Sequence, residues 1–488
     1  MNDVYAGLEP AEVWRHFDAL NKIGRPSGRE AAARDYVLGV GAEARCTTKR
    51  DAYGNCVVYV GSRNGSKTPV CVQAHLDMVM ATDPGIAHDF VNDPIVPRRV
   101  GDRIVATGTT LGADNGIGAA MALALITDKT LSTGPLELLF TVEEETGLKG
   151  ASALDGSLIT AKSLINLDSE DPPVLTIGCA GGESLTISVP VSTEPVPEGW
   201  VTREVHIAGL RGGHSGVEIH KNLGNAIQLL SSTLLGESSR NSEMRIVSIA
   251  GGSAHNAVPK EAIAKIAMPA SEGVRWDRDL ADAVANRAMV DQIRQQLQEP
   301  GLTVDMRSVE PAAEAITAAD SKKLAHLLFS IPTGVLTMSN AFPGKVQTSR
   351  NLAVVAQGNG KVDVLVSLRS FVAADIAAVE TELREMAESV GASVQVSSAY
   401  PSWEPNPDSR LLSVTKEAFE QVLNREPIVE VVHAGLECGV ISAKVPGMEA
   451  VSFGPKITGA HTPEESVYPD SVKSTWKLLV EVLGRLGA

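Results

Sequence analysis

Four apolar runs in this chain lead into residues of the kinds that bind cations. PVCVQA (69–74) runs into His75-Leu76-Asp77, LELLFTV (136–142) into Glu143-Glu144-Glu145, SLINL (163–167) into Asp168, and VSFG (451–454) into a Gly-rich loop that carries His461. Short runs with so few polar residues read as strands buried on both faces. That is the situation of strands in a parallel or mixed sheet covered by helices. In such sheets functional groups collect beyond the carboxyl ends of the strands. The pattern therefore constrains the chain to an α/β class with one shared site.

The remaining elements follow from spacing. Residues 10–24 and 27–40 have helical periodicity, the second with Ser27 as N-cap and Glu30 three residues on. NCVVYV (55–60) reads as a strand, and a small-residue helix covers about 115–126. Past GCAGGE (178–183) the character changes to alternating strands (REVHIAG, MRIVSIAGG, AIAKIAMPA, KVDVLVSLRS) with helices between them, such as 281–298. This is an α+β pattern. After AYPSWEPNPDSRLL a helix from about 408, strands at 428–432 and 449–453, and a helix at 468–486 resume the first style. If the last ~90 residues, with His461, supply a ligand to a site built by the first 180, the middle region is an insertion. The expected division is 1–185 and 399–488 for one domain and 186–398 for the inserted one.

Bulk properties narrow the function. With 43 basic and 59 acidic residues among 488, the net charge is −16 and no basic run occurs. Neither nucleic acid nor an anionic membrane surface is an expected partner. The N-terminus shows no basic and apolar leader, and no apolar run is long enough to span a bilayer. Cys46, Cys56, Cys71, Cys179 and Cys438 are odd in number and never in CxxC spacing. They read as free thiols in a reducing, cytoplasmic compartment, with no thiolate metal site.

The motifs suit metal chemistry. His75 ends a strand, and Asp77 two residues on lies on its side, placed to orient the imidazole. Asp114 lies in GADNGIG ahead of a helix, either bridging cations or capping a plain loop; the segment lacks the GK[ST] and GxGxxG of phosphate cradles. Three adjacent carboxylates at Glu143–Glu145 repel one another unless a cation neutralises one and leaves another as a base. With Asp168 and His461 the set is two His, two Asp and one or two Glu. This is an N/O donor set for zinc, cobalt or manganese, sized for two ions sharing a carboxylate.

HLDMV, GADNGIG, EEETG, NLDSE and GAHTPEE, in this order, resemble the co-catalytic zinc peptidase family that includes carboxypeptidase G, aminoacylase and the cytosolic dipeptidases. GGHSGVEIHKNLGNA (212–226), HAGLECG (433–439) and the long middle region look most like its aminoacyl-histidine (Xaa-His) dipeptidase branch. The resemblance implies a mixed-sheet catalytic domain interrupted by an α+β lid or dimerisation domain. It implies two Zn2+ per chain, replaceable by Co2+ or Mn2+: His75 and Asp168 on one, Glu145 and His461 on the other, Asp114 bridging, with a cis peptide to Asn115. Relatives often read Asp-Glu-Glu-x-Gly; counting back from Gly147 makes Glu144 the base and Glu145 the ligand.

The implied reaction is hydrolysis of a dipeptide bond by a metal-bound water that Glu144 activates, with Asp77 orienting His75. A tripeptidase, carboxypeptidase or N-acyl amino acid deacylase uses the same scaffold. His214, Asn256, Arg369, His433 and Glu437 are the expected substrate-binding residues, the substrate being a small peptide and the assembly a homodimer. His16, His88, His206, His220, His255 and His326 have no motif context and read as surface or hydrogen-bonded residues.

Overall fold

The computed structural model describes residues 3–241, 243–285, 294–296 and 298–487. The chain forms two compact units. One comprises Met1–Cys179, Trp403–Val432 and Leu436–Ala488, and the other Ala180–Ser402 with His433–Gly435.

The first unit opens with helices α1 (Ala11–Leu20) and α2 (Ala31–Glu43). Strands β1 (Thr47–Arg50), β2 (Cys56–Val60), β3 (Val70–His75), β4 (Pro97–Val100) and β5 (Arg103–Ala106) follow. Then come α3 (Ala113–Thr127), β6 (Leu136–Thr141), β7 (Ser163–Asn166) and β8 (Val174–Cys179). The main sheet has the order β1-β2-β6-β3-β7, then Glu449–Ser452, β8 and Ile428–Val432. β6, β3 and β7 run parallel, so their carboxyl ends emerge together; the register sets His75 beside Thr141 and Gln73 beside Asn166. Every residue of β3 and β6 is buried, as the continuous apolar runs require. Burying each Leu, Ile, Val or Phe of this core contributes roughly 1.5–3 kcal/mol. A smaller sheet pairs β4 with β5, β5 with Ser466–Val467, and that strand with Ile457–Thr458.

α1 buries Val13, Trp14, Phe17 and Leu20, the three-and-four spacing of an amphipathic helix. His16 shares that face. Its Nδ1 lies 2.8 Å from the Tyr36 hydroxyl on α2 and its Nε2 3.2 Å from Thr127 Oγ1 on α3, so one imidazole ties three helices. Burial, aided by the neighbouring Arg15 charge, pushes its pKa down to about 4. The unfolded chain takes up this proton near pH 6.5, before the folded one does. The stabilisation is therefore complete above about pH 6.5 and is lost as the pH falls toward 4, roughly 3 kcal/mol in all. Urea unfolding of metal-stripped protein is expected to show a shallower decline over this range for His16→Gln than for the wild type. Equal slopes would remove His16 as the source.

The structure shifts two expectations at the N-terminus. The helix predicted over 27–40 starts at Ala31, and neither Ser27 nor Glu30 makes a side-chain cap. Ser27 instead donates to Asp77 Oδ2 at 2.8 Å, and Glu30 accepts from the Gly28 and Glu143 backbone N–H groups. Both belong to loop-to-loop contacts that local spacing does not reveal.

The second unit is α+β. Eight antiparallel strands run in the order Thr303–Val309, Trp200–Ala208, Ala262–Pro269, Arg245–Gly251, Val346–Gly358, Lys361–Ser370, Gly181–Pro190, Ser393–Tyr400, with Gly334–Met338 pairing alongside Val346–Gly358. Helices Ala226–Arg240, Ala318–Ser330 and Ala373–Ser389 cover it, contributing Ile227, Leu230, Leu234, Leu324, Leu328 and Leu383 to one core. The helix expected over 281–298 begins earlier, as Ala270–Ala285; positions 286–293 and 297 lie outside the described residues. Among the described residues no helix is long and apolar enough to cross a membrane.

Candidate metal centre

His75 closes β3, and Glu144 and Glu145 lie in the turn after β6. Asp168 lies two residues past β7, and Asp114 opens α3. His461 comes from the loop between Ile457–Thr458 and Ser466–Val467, which the smaller sheet holds against β5. The parallel strand ends and this hairpin bring the six residues together. Three overlapping groups have all their donor atoms within 4.8 Å of one another: His75, Asp114 and Asp168; His75, Glu144 and Glu145; and Asp114, Glu145 and His461.

Asp114 joins the two histidines. Its Oδ1 lies 3.2 Å from His75 Nε2 and its Oδ2 3.2 Å from His461 Nε2. His75 Nε2 is also 3.3 Å from Asp168 Oδ1, and His461 Nε2 is 3.0 Å from Glu145 Oε2. The peptide bond from Asp114 to Asn115 is cis. Of the three consecutive glutamates, Glu143 turns away to Tyr53 and Lys149, each 3.1 Å from its carboxylate, and joins none of the groups. The repulsion between neighbouring carboxylates is thus relieved in space for one of the three.

The electrostatics fit cations. Burial raises the Asp168 carboxyl to about 7, with the Asp114 and Glu145 charges adding to the rise and His75 opposing it. Burial likewise lifts Glu144 well above the usual carboxylate range, against His75 and with the charges of Asp168, Glu437 and Glu145. His461 is pushed up to about 11 by its hydrogen bonds to Asp114 and Glu145. Two buried oxygens, Glu145 Oε1 and Asp168 Oδ1, accept no hydrogen bond. Orphaned buried acceptors are costly, and a crowd of carboxylates around two imidazoles is a low-energy arrangement when cations sit among them. None of the five cysteines, all free, joins the groups, so the donors are nitrogen and oxygen. This is a binuclear metal-binding site.

A ring of supports aims these side chains. The Asp77 carboxylate is 3.4 Å from His75 Nδ1 and accepts from the backbone N–H of Glu144 (3.0 Å) and of Glu145 (3.1 Å). Burial opposes its charge, but the His75 contact, Ser27 and the Glu144 N–H hold its pKa down at about 2. Asp77 lies beyond the end of β3, so the loop rather than strand alternation sets its side. Glu465 accepts from four consecutive N–H groups, Leu111 to Asp114, at 2.7–3.0 Å. It thus ties the His461 loop to the Asp114 loop. Fully buried Arg25 donates to the carbonyls of Leu76, Asp77 and Gly112. Gly112 has φ +68°, and a Cβ there would meet Arg25 Nη2 at 2.5 Å, so the turn needs glycine. Sequence reasoning missed Arg25 and Glu465. Nothing in their local patterns separates them from surface charges.

The chain is matched over residues 71–485 by the family model for peptidase family M20/M25/M40. It is also 36% identical over 485 residues to the cytosol non-specific dipeptidase of Escherichia coli (strain K12), covering 99% of both chains. The chain belongs to peptidase family M20/M25/M40. The crystal structure of aminoacylhistidine dipeptidase from Vibrio alginolyticus superposes with a TM-score of 0.89 at 35% identity, over 99% of this chain and 98% of that one. Aminopeptidase PepT from Bacillus cereus shares the fold at a TM-score of 0.57 and 17% identity, over 99% of this chain and 100% of that one. The mixed α/β catalytic domain with an inserted second domain is the M20 arrangement, and the chain is a metal-dependent hydrolase of that family.

The second unit gathers four of the expected substrate residues. Gly213–His214 pairs antiparallel with Ala257–Val258, and the Ser215 N–H donates to the Asn256 carbonyl at 2.8 Å, so the GGHSG and GGSAHNAVP segments meet. His214 Nδ1 accepts from the N–H groups of Gly216 and Val217, both at 3.1 Å. The other ring nitrogen is then the protonated one. Burial, with the Arg369 charge, lowers the His214 pKa, which keeps the ring neutral near pH 7. A Cβ on Gly216 would lie 2.5 Å from the His433 carbonyl oxygen, 3.0 Å from the His214 ring and 3.2 Å from the Arg369 guanidinium, so glycine is what allows the three to converge. Arg369 donates to the Tyr400 hydroxyl at 2.8 Å, and His433 Nε2 lies 2.7 Å from Ser349 Oγ. Glu437 differs from its expected place on a pocket wall. It is fully buried in the first unit and bonds to Gln73 and Thr141 of β3 and β6.

Proposed function

We propose that the chain hydrolyses the peptide bond of dipeptides, Xaa-His types among them, at two zinc ions bound by His75, Asp114, Asp168, Glu145 and His461. The observation that carries the reading is Asp114, whose two carboxylate oxygens face two different histidine-carboxylate pairs. Two divalent cations bound there supply Lewis-acid polarisation of the scissile carbonyl and acidify a water molecule.

Glu144 takes the proton from that water and passes it to the leaving amine, base first and acid second. Asp77 keeps the His75 imidazole oriented and the Glu144 and Glu145 backbone in place. His214, neutral and with Nε2–H free to donate, is the oxyanion donor. The Arg369 guanidinium is the carboxylate anchor for the peptide's C-terminus, with His433 near it and Asn256 on the same unit. The likeness to the cytosol non-specific dipeptidase and aminoacylhistidine dipeptidase supports the dipeptide as substrate.

Metal-stripped enzyme reloaded with Zn2+, Co2+ or Mn2+ is to be assayed on Ala-His, β-Ala-His, Gly-Gly-Gly and an N-acetyl amino acid. Hydrolysis of the dipeptides is expected to exceed that of the other two by at least about 10-fold in kcat/KM. This is the low end of the discrimination that a single group in a binding pocket produces. Cleavage confined to the tripeptide or the acetylated amino acid would overturn the dipeptide reading and leave the metal reading standing.

A further inference from the structure

Beneath the metal centre a chain of buried polar side chains crosses four neighbouring strands. Thr141 Oγ1 and Gln73 Nε2 both donate to Glu437 Oε2, at 2.8 and 2.5 Å. Asn166 Nδ2 donates to Gln73 Oε1 at 2.6 Å. Asn166 Oδ1 accepts from Ser452 Oγ at 2.5 Å and from the backbone N–H of Asp168 at 3.1 Å. Thr141, Gln73, Asn166 and Ser452 lie on β6, β3, β7 and Glu449–Ser452, adjacent in the sheet, and all are 0–1% exposed.

Three features separate this chain from ordinary core filling. First, the row lies among buried apolar neighbours such as Val72, Leu139, Phe140, Ile165 and Val451, and a polar row in a sheet core is tolerated only where its partners are supplied. Second, it has a direction. Glu437 Oε2 accepts from both Thr141 and Gln73, so the Gln73 amide nitrogen faces it. The Gln73 oxygen then faces Asn166, and the Asn166 oxygen faces the Asp168 N–H. Third, its members stand in fixed relation to two metal-ligand candidates: Gln73 is two residues before His75 on the same strand, and Asn166 is two before Asp168. The Gln73–Asn166 bond therefore spans the two strands whose ends carry His75 and Asp168, which are 3.3 Å apart at their nearest atoms. Glu437 sits at the first position of the helix Glu437–Lys444, and its Oε1 is buried without a partner, so the side chain is committed through Oε2 alone.

We propose that Glu437, Gln73 and Asn166 are positioning residues that set the separation of His75 and Asp168, and so the affinity of the one metal those two hold, leaving the metal of Glu145 and His461 largely untouched. The inference rests on the two-metal reading above. Outer partners of metal ligands characteristically tune affinity by about 10–100-fold.

The test is stepwise metal binding to stripped protein, followed with a chromophoric chelator, alongside the thermal midpoint of the metal-free protein. The wild type is titrated first. Fewer than two ions bound per chain would overturn the two-metal reading itself, independently of the variants. Gln73→Met is expected to weaken one of the two binding constants by about 10–100-fold and the other by less than about 3-fold, while Glu437→Gln, which keeps an acceptor oxygen, stays near wild type. Gln73→Met takes one of its two donors from Glu437 and the acceptor from Asn166 Nδ2, and lowers the midpoint. Adding Glu437→Met removes the half-paired carboxyl and is expected to restore part of the midpoint but not the lost affinity. Recovery of both together, or equal weakening of both constants, would mean that the chain only holds the core together and would overturn the proposal.

Discussion

Glu144→Gln is expected to lower kcat on dipeptides by about 10³–10⁴-fold, the upper part of the range for general acid–base groups, because one residue serves both proton transfers. The amide is isosteric but cannot take the proton. KM is expected to change little, since the group acts at the reacting atoms rather than in holding the peptide. Both metals are expected to stay bound, because the paired contacts at the centre run through His75, Asp114, Asp168, Glu145 and His461. Elemental analysis of the purified variant measures this. Near-normal turnover with two metals bound would sink the assignment. Loss of metal with loss of turnover would move Glu144 from base to ligand, since it shares one donor group with His75 and Glu145.

Asp114→Ala is expected to strike the metals instead. Each carboxylate oxygen faces a different histidine, so one truncation removes a ligand from both ions and leaves the two positive centres without the negative charge between them. Bound metal is expected to fall from two ions per chain to one or none. The loss of Lewis-acid stabilisation, several kcal/mol, corresponds to a fall in kcat/KM of at least about 10³-fold. Excess Zn2+ is expected to recover little of it. His461→Ala makes the comparison: it removes a donor from one ion only, and the ion held by His75 and Asp168 is expected to remain. Two ions retained in Asp114→Ala would show that the carboxylate is not shared.

Much of this centre was legible before any coordinates, and the reason is local. A strand buried on both faces is mostly apolar, so charged residues and histidines at its end stand out, as His75, the run Glu143–Glu145 and Asp168 do; the split of that run into base and ligand came from the resemblance. The resemblance then placed His461, from a distant segment, with them, which implies that the middle of the chain is an insertion. The residues that support the ligands left no such mark. Ser27 read as a helix cap and proved to be a partner of Asp77. Glu465, one of two adjacent glutamates, proved to hold four backbone N–H groups across more than 350 positions of chain. Glu437 read as a pocket residue and proved to be tied to β3 and β6. Each of these roles depends on a partner far away in sequence, and periodicity carries no information about such partners.

The amino-acid sequence by itself determined the class of sheet, the strand ends that carry donors and the N/O character of the donor set. Each follows from short-range rules of burial and charge acting on neighbours in the chain. Only the tertiary structure decided where Glu143 goes, turned to Tyr53 and Lys149 while Glu144 and Glu145 stay with the histidines. It alone decided that Glu465 and Arg25 brace the loops around the site and that a row of buried amides runs under His75 and Asp168. Those outcomes are set by distances between strands and loops, which close only when the parallel strands are in register and the hairpin carrying His461 pairs with β5.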